Sequence, residues 1–133
     1  MSTAADATTL TASTADTPST PQADCIFCKI IAGDFGTKFV YEDEHVVAFD
    51  DVSPQKPIHT LIVPRQHVEN LEDNPDPELL AQVFAAASKV AQIKGVNKSG
   101  YRIIQNNGAG AGQTVFHLHV HVLGGGSFTE GIV

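Results

Sequence analysis

A period of two dominates the stretch Val115-Phe116-His117-Leu118-His119-Val120-His121-Val122-Leu123, where three of the chain's six histidines alternate with Leu118 and Val120. Strict alternation among β-forming residues predicts a strand. Alternate side chains of a strand share a face, about 6.7 Å apart. The three imidazoles are therefore expected on one face, with Phe116, Leu118, Val120 and Val122 buried on the other. Just upstream runs Asn106-Asn107-Gly108-Ala109-Gly110-Ala111-Gly112-Gln113-Thr114, a small-residue loop whose backbone N–H groups can face an anion. Imidazoles beside such a loop suit phosphate chemistry. Neutral imidazole, with an ordinary pKa of about 6.5, is nucleophilic near pH 7, and a neighbour can pass a proton to the leaving group.

The remainder of the chain supplies a small domain to carry this strand. Its 133 residues leave room for one domain with a moderate core. A formal charge of −7 without any Lys/Arg cluster argues against nucleic acid as partner. No apolar run reaches the roughly 18–20 residues needed to span a membrane. Residues 1–24, mostly Ser, Thr and Ala, are expected to be a disordered tail. Organelle targeting is the weaker of the two readings of this tail, since such a segment would carry Arg and avoid acids, whereas Asp6, Asp16 and Asp24 are present.

Residues 25–133 are expected to form the domain. Cys25 to Ile31 reads as a short helix ending at Gly33. Phe39–Glu42 and Val46–Phe49 read as strands around an Asp43-Glu44-His45 turn, Thr60–Val63 as a third strand stopped by Pro64, and His67–Leu71 as a helical turn. Asp76 as cap, Pro77 at the first position and Gly95 at the exit bound the main helix. Its apolar stripe is expected at Leu80, Val83, Phe84, Ala87, Val90 and Ala91. Tyr101–Gln105 is the fourth strand and the histidine segment the fifth. Short connections and one long helix predict an α+β fold: a five-stranded antiparallel sheet, one main helix and a short N-terminal helix.

Read from the residues alone, His-x-His-x-His suits a zinc site, a nucleophilic imidazole, or a polar water-facing sheet surface. Strict alternation beside a glycine loop favours function over the water-facing surface, and flanking Phe116 and Leu123 favour a sheet buried on one side. Cys25-x-x-Cys28 is no secreted disulfide framework. It points to a reducing, cytoplasmic setting and to a metal or redox role.

These residues also carry a family likeness. His117-Leu118-His119-Val120-His121-Val122-Leu123 resembles the signature of the histidine triad (HIT) superfamily. Further likeness lies at Cys25–Ile31, Ser53-Pro54-Gln55, His59–Pro64 and Gly112-Gln113-Thr114, and spans nearly all of the structured chain. The Leu123-Gly124-Gly125 ending resembles the Hint branch, the purine nucleoside phosphoramidases. The resemblance implies a homodimer whose two sheets join into one of ten strands. It also implies His119 as nucleophile toward the α-phosphorus of a nucleoside 5′-phosphoramidate, with AMP, phosphoramidates and aminoacyl adenylates as ligands. His121 would contact the phosphate and protonate the leaving group, while His59 and His117 complete the catalytic cluster. Asn106, Gly112, Gln113 and Thr114 correspond to phosphate contacts, Asp51 to the ribose contact and Val52 to the base contact. Phe27, Phe49 and Ile30 would wall the base, although apolar residues there serve equally as core.

In zinc-containing members, Cys25 and Cys28 are joined by the positions of His67 and His117. The resemblance thus implies a structural zinc and no cofactor for catalysis. Other classes remain open: a nucleotide-binding interaction module, or a dinucleoside polyphosphate hydrolase or nucleotidyltransferase of the same superfamily. After Gly126 the chain continues from Ser127 to Val133 without the Trp-Pro tail of the best-known Hint proteins, which puts the leaving-group preference in doubt.

Overall fold

The computed structural model describes residues 22–129. The tail expected at residues 1–24 therefore lies outside the described residues as far as residue 21. The chain forms α1 (Ile26–Ala32), β1 (Tyr41–Glu42), β2 (Val46–Asp50), β3 (Ile58–Pro64), α2 (Pro77–Lys94), β4 (Tyr101–Ile104) and β5 (Val120–Gly124). The sheet is antiparallel throughout, in the order β1-β2-β3-β5-β4. The expected α+β architecture, with five strands, one main helix and a short N-terminal helix, is the one observed. Among the described residues no helix is long and apolar enough to cross a membrane.

Local chemistry fixes the helix ends. Asp76 caps α2 by accepting the N–H of Glu78, Pro77 fills the first turn, and Gly95 leaves the helix at φ 76°. The buried stripe is Leu79, Val83, Ala86, Ala87, Val90 and Ala91. It is turned from the expected one, and Phe84 is 47% exposed. Small Ala86 and Ala87 let α2 lie close to the sheet, so the contact face centres on them rather than on the larger ring. α2 packs on Val46, Ala48, Ile62, Leu118, Val120 and Val122.

The opposite face of the sheet is covered as well, which corrects the expectation of a sheet buried on one side. Phe27, Val47, Phe49, Leu61 and Val63 form a second core there, with Ile30, Ile31, Phe39 and Val115 at its border. Phe27 brings α1 into this layer, so β2 is buried from Val46 to Phe49 on both sides of its pleat. Strands buried on two faces read as continuous apolar runs, and Val46-Val47-Ala48-Phe49 is one.

The histidine strand is shorter than expected, because Val115 to His119 are irregular and only Val120 to Gly124 pair. Pro64 ends the neighbouring strand: it has no N–H to donate, and its carbonyl oxygen accepts the His117 Nε2–H at 2.8 Å. Leu118 N–H instead donates to Val68 O at 2.7 Å. Phe116, expected in the core, falls in this irregular run and is 41% exposed. The helical turn expected at His67–Leu71 lies later, as a single 3-10 turn at Leu71–Asp73 capped by Asn70. Gly124 has a packing reason: a Cβ there would stand 3.1 Å from Val96 Cγ1 and 3.3 Å from Gly100 O. The last residue of β5 must therefore be bare for the turn before β4 to close over it.

Candidate active site

Although His117 and His119 precede β5, their rings follow the expected alternation. Leu118, Val120 and Val122 enter the α2 core, while the three imidazoles line the opposite face beside Phe27. The His119 and His121 ring centroids are 5.0 Å apart. Residue β3 His59 lies diagonally across the pairing from His121, since His59 faces Leu123 and Leu61 faces His121.

The hydrogen bonds assign a tautomer to each ring. A carbonyl only accepts, so His119 donates its Nδ1–H to His117 O at 2.8 Å. The lone pair of neutral His119 is therefore on Nε2. Gln55 N–H donates to His59 Nδ1 at 3.0 Å, which leaves the proton of neutral His59 on Nε2. That Nε2–H points to His121 Nδ1 at 2.9 Å, and the remaining His121 proton is then on Nε2. One ring thus offers a lone pair while its neighbour offers a proton. Burial holds His119 below the ordinary histidine range, and burial together with the facing His119 and His59 lowers His121 to about 4. Both are neutral at pH 7.

Asp51 joins this group from the loop after β2. Its Oδ2 lies 3.5 Å from His59 Nε2, and its Oδ1 accepts Ser53 N–H at 2.8 Å. The carboxylate is thus both a turn former and a wall of the histidine cleft. Next to it in sequence Val52 is 97% exposed, an apolar side chain held out into solvent.

The glycine-rich loop, Asn106 to Thr114, differs in detail from its expectation as a phosphate contact. The N–H groups of Ala111, Gly112 and Gln113 turn inward, to Gly108 O, Ala109 O and Gly108 O respectively. The Gln113 carboxamide, 3% exposed, is also fully engaged. Its Oε1 accepts from Asn70 Nδ2 and Gly108 N, and its Nε2 donates to Glu69 O and Val115 O. All four hydrogen-bonding positions of the amide are filled, so Gln113 shapes the loop from inside. The side chains of Asn106 and Thr114 have no hydrogen-bond partner among the described residues.

Behind the triad, Cys25, Cys28, His67 and His117 bring four ligand atoms within 4.8 Å of one another, a group that could hold a metal ion. His117 Nδ1 is 3.3 Å from Cys25 Sγ, 3.6 Å from Cys28 Sγ and 3.1 Å from His67 Nδ1. His67 Nδ1 is 3.4 Å from Cys28 Sγ. Tetrahedral zinc bond lengths imply about 3.3 Å between nitrogens and about 3.6 Å between sulfur and nitrogen, so the donor set fits. The His117 Nε2–H donated to Pro64 O turns the Nδ1 lone pair inward, as a ligating histidine requires.

Asp51, His59 and His121 also place three ligand atoms within 4.8 Å. Their wiring is opposite. His59 Nδ1 already accepts a backbone N–H, so its Nε2 holds a proton that a metal would have to displace. That cluster is built to carry a proton.

Comparison with known proteins places this geometry. The HIT domain model matches residues 33–128. The chain belongs to the HIT family. An uncharacterised HIT-like protein of Methanocaldococcus jannaschii is 46% identical over 99 residues, covering 74% of this chain and 77% of that protein. Among solved structures, a HIT family hydrolase from Clostridium thermocellum is 42% identical with a TM-score of 0.80, over 84% of this chain and 99% of that one. A histidine triad nucleotide-binding protein from Candida albicans is 30% identical with a TM-score of 0.70, over 83% of this chain and 87% of that one.

Within this HIT domain the structure brings together all five histidines singled out from sequence, while His45, expected only in a turn, lies on the surface 3.3 Å from Glu44. Phe27 and Phe49 lie in the second core beneath the site, with ring centroids 5.6 Å apart. Phe27 also stands edge-on to His119 at 5.1 Å. Three contributors were not legible in the sequence. The Gln55 backbone N–H sets the His59 tautomer, a role no side chain announces. Asn70 and the Glu69 carbonyl anchor Gln113 from a distant turn, and no motif marks them.

Proposed function

We propose that this HIT protein hydrolyses the P–N bond of purine nucleoside 5′-phosphoramidates, in the manner of the Hint branch. The observation that carries the reading is the His119 tautomer: Nδ1–H is tied to His117 O, and Nε2 is left as a bare lone pair beside the Nε2–H of His121. His119 Nε2 forms a bond to the α-phosphorus as the P–N bond to the amine breaks. The amine leaves with the proton from His121 Nε2, and the negative charge this leaves on the His59–His121 pair is balanced by the positive charge on the phosphorylated His119 ring. Water then attacks the phosphorus, returns a proton to His121 Nε2, and frees His119 with release of the nucleoside monophosphate.

Asp51 would take the ribose hydroxyls, exposed Val52 the base, and Asn106 and Thr114 the phosphate, the Gly112 N–H being held by Ala109 O. Gln113 keeps that loop in shape, and Phe27 and Phe49 back the pocket from beneath. Aminoacyl adenylates present the same α-phosphorus. A zinc ion held by Cys25, Cys28, His67 and His117 would supply a structural crosslink between α1 and the catalytic strand, with no part in bond cleavage. A homodimer is the expected assembly. One solved relative is called a hydrolase and another a nucleotide-binding protein, and both names agree with this chemistry.

The test is turnover of adenosine 5′-phosphoramidate carrying a fluorescent amine, set beside diadenosine polyphosphate. Faster release of the amine supports the proposal. Preferential cleavage of the dinucleotide assigns the site to the other branch, and AMP binding without turnover makes the protein a binding module.

A further inference from the structure

Cys25 and Cys28 are the only cysteines in the chain. Cys25 caps α1 with extended backbone, at φ −87° and ψ 118°, and its Sγ accepts the N–H of Cys28 at 3.3 Å. The two sulfurs lie within 4.8 Å of each other as members of one donor cluster. A pair at the cap and third position of a helix can close to a disulfide through a change at the non-helical cap alone, because Cβ atoms three apart on a helix are only about 5–6 Å apart. Cys25 is half-buried and Cys28 buried, so an oxidant meets Cys25 first.

We propose that Cys25 and Cys28 are an oxidation site for peroxides, at which disulfide formation opens the four-residue cluster and disarms His119. Peroxide transfers one oxygen to Cys25 Sγ, giving a sulfenic acid and one water. Cys28 Sγ then attacks Cys25 Sγ, the S–S bond forms, and the hydroxyl leaves as a second water. In sum two thiols lose two hydrogens and one peroxide becomes two waters. Any metal bound there loses both sulfur ligands in the same event.

The consequence reaches the triad along two paths. His117 holds its Nδ1 against both sulfurs while its carbonyl oxygen accepts the His119 Nδ1–H. Phe27, between the two cysteines in sequence, packs edge-on against His117 at 6.0 Å and His119 at 5.1 Å. Pulling the sulfurs together therefore shifts the ring that bounds the nucleophile and frees the residue that fixes its tautomer. The disarming step rests on His119 being the nucleophile, whereas the oxidation step does not.

The full-length protein is treated with a modest excess of hydrogen peroxide, quenched with catalase, and followed by intact mass, alkylation of free thiols, metal release to a chromogenic chelator, and phosphoramidate turnover. The expected result is a mass loss of two hydrogens, loss of both thiols together, release of bound metal in step, and a fall in turnover of about tenfold or more. Dithiothreitol with added zinc should restore turnover. Cys25→Ser and Cys28→Ser, each compared with itself before and after peroxide, should show no loss of two hydrogens and no reversible inhibition. Two thiols surviving the treatment, or addition of oxygens without a disulfide, would overturn the proposal, as would a disulfide that leaves turnover unchanged. If the untreated protein has no turnover, the phosphoramidase reading fails by itself, and the mass and thiol readouts still decide whether the pair is an oxidation site.

Discussion

His119 gives its Nδ1–H to the main-chain oxygen of His117, 2.8 Å away, and His117 turns its own Nδ1 into the cysteine cluster. The tautomer of the proposed nucleophile is thus set by the backbone of a residue whose side chain belongs to a different cluster. Alternation makes this possible: the two histidines share a face, and the irregular run before β5 leaves the His117 carbonyl free of the sheet ladder.

Removing the proton relay should slow chemistry more than binding. In His59→Phe, His121 Nδ1 loses the donor that now meets it at 2.9 Å, and its proton is no longer confined to Nε2. A fall in kcat of about 10–100-fold is expected, with AMP affinity changed by no more than a few-fold. Steady-state kinetics beside calorimetric AMP titration separates the two. An equal loss of affinity would make His59 a binding residue.

Gln113→Leu should act through the loop. The substitution strands Gly108 N–H, Asn70 Nδ2 and the Glu69 and Val115 carbonyls in a nearly buried place. Each such group costs about 1–3 kcal/mol when its partner is lost, so a destabilisation of at least about 2 kcal/mol is expected in urea unfolding. Where folding is kept, KM should rise. Unchanged stability with a KM rise alone would return Gln113 to the role of a direct phosphate contact.

The acid limb of activity should lie below the usual histidine range. Burial lowers both His119 and His121, the latter to about 4, and both must be neutral for the proposed attack and proton transfer. kcat/KM should hold as pH drops through about 6.5, the ordinary histidine value, and fall only on further acidification. Stability has a related dependence with a worked sign. The unfolded chain binds protons at His121 below about pH 6.5, which the folded chain refuses until about pH 4. Stability should therefore decline as pH falls through that window. An acid limb centred near 6.5 would place the reacting imidazoles in a solvated setting.

One metal ion per chain is expected, because of the two donor clusters among the described residues the cysteine cluster turns the His117 Nδ1 lone pair inward, whereas His59 Nε2 in the other carries a proton. Chelation should lower the melting temperature by about 5 °C or more, and Cys28→Ser should abolish the effect. A second equivalent lost in Asp51→Asn would show that the His59 cluster also takes a metal.

Much of this was legible from residues 25–126. The five antiparallel strands, the caps at Asp76, Pro77 and Gly95, and the shared face of His117, His119 and His121 follow from local pattern, whereas the order β1-β2-β3-β5-β4 does not. What escaped was tertiary. Phe116 and Phe84 suit a core by type, yet the end of β3 at Pro64 and the small Ala86 and Ala87 on α2 decide which side chains meet it. The glycine loop suggested donors facing outward, whereas its N–H groups close its own turns. The cover on the histidine face comes from Phe27 on α1, a residue whose partners lie far along the chain. Tautomers depend on backbone groups such as Gln55 N–H, and sequence composition does not encode them.

The most direct measurement is a single-turnover reaction of the full-length protein with adenosine 5′-phosphoramidate, quenched in base and mapped by mass spectrometry. If His119 Nε2 is the nucleophile, an AMP group will be found on the peptide containing His119, at that residue. In His119→Ala the adduct will be absent, and turnover will fall by about a thousandfold or more while AMP still binds. Undiminished turnover in His119→Ala, or an adduct carried by another residue, would contradict the assignment.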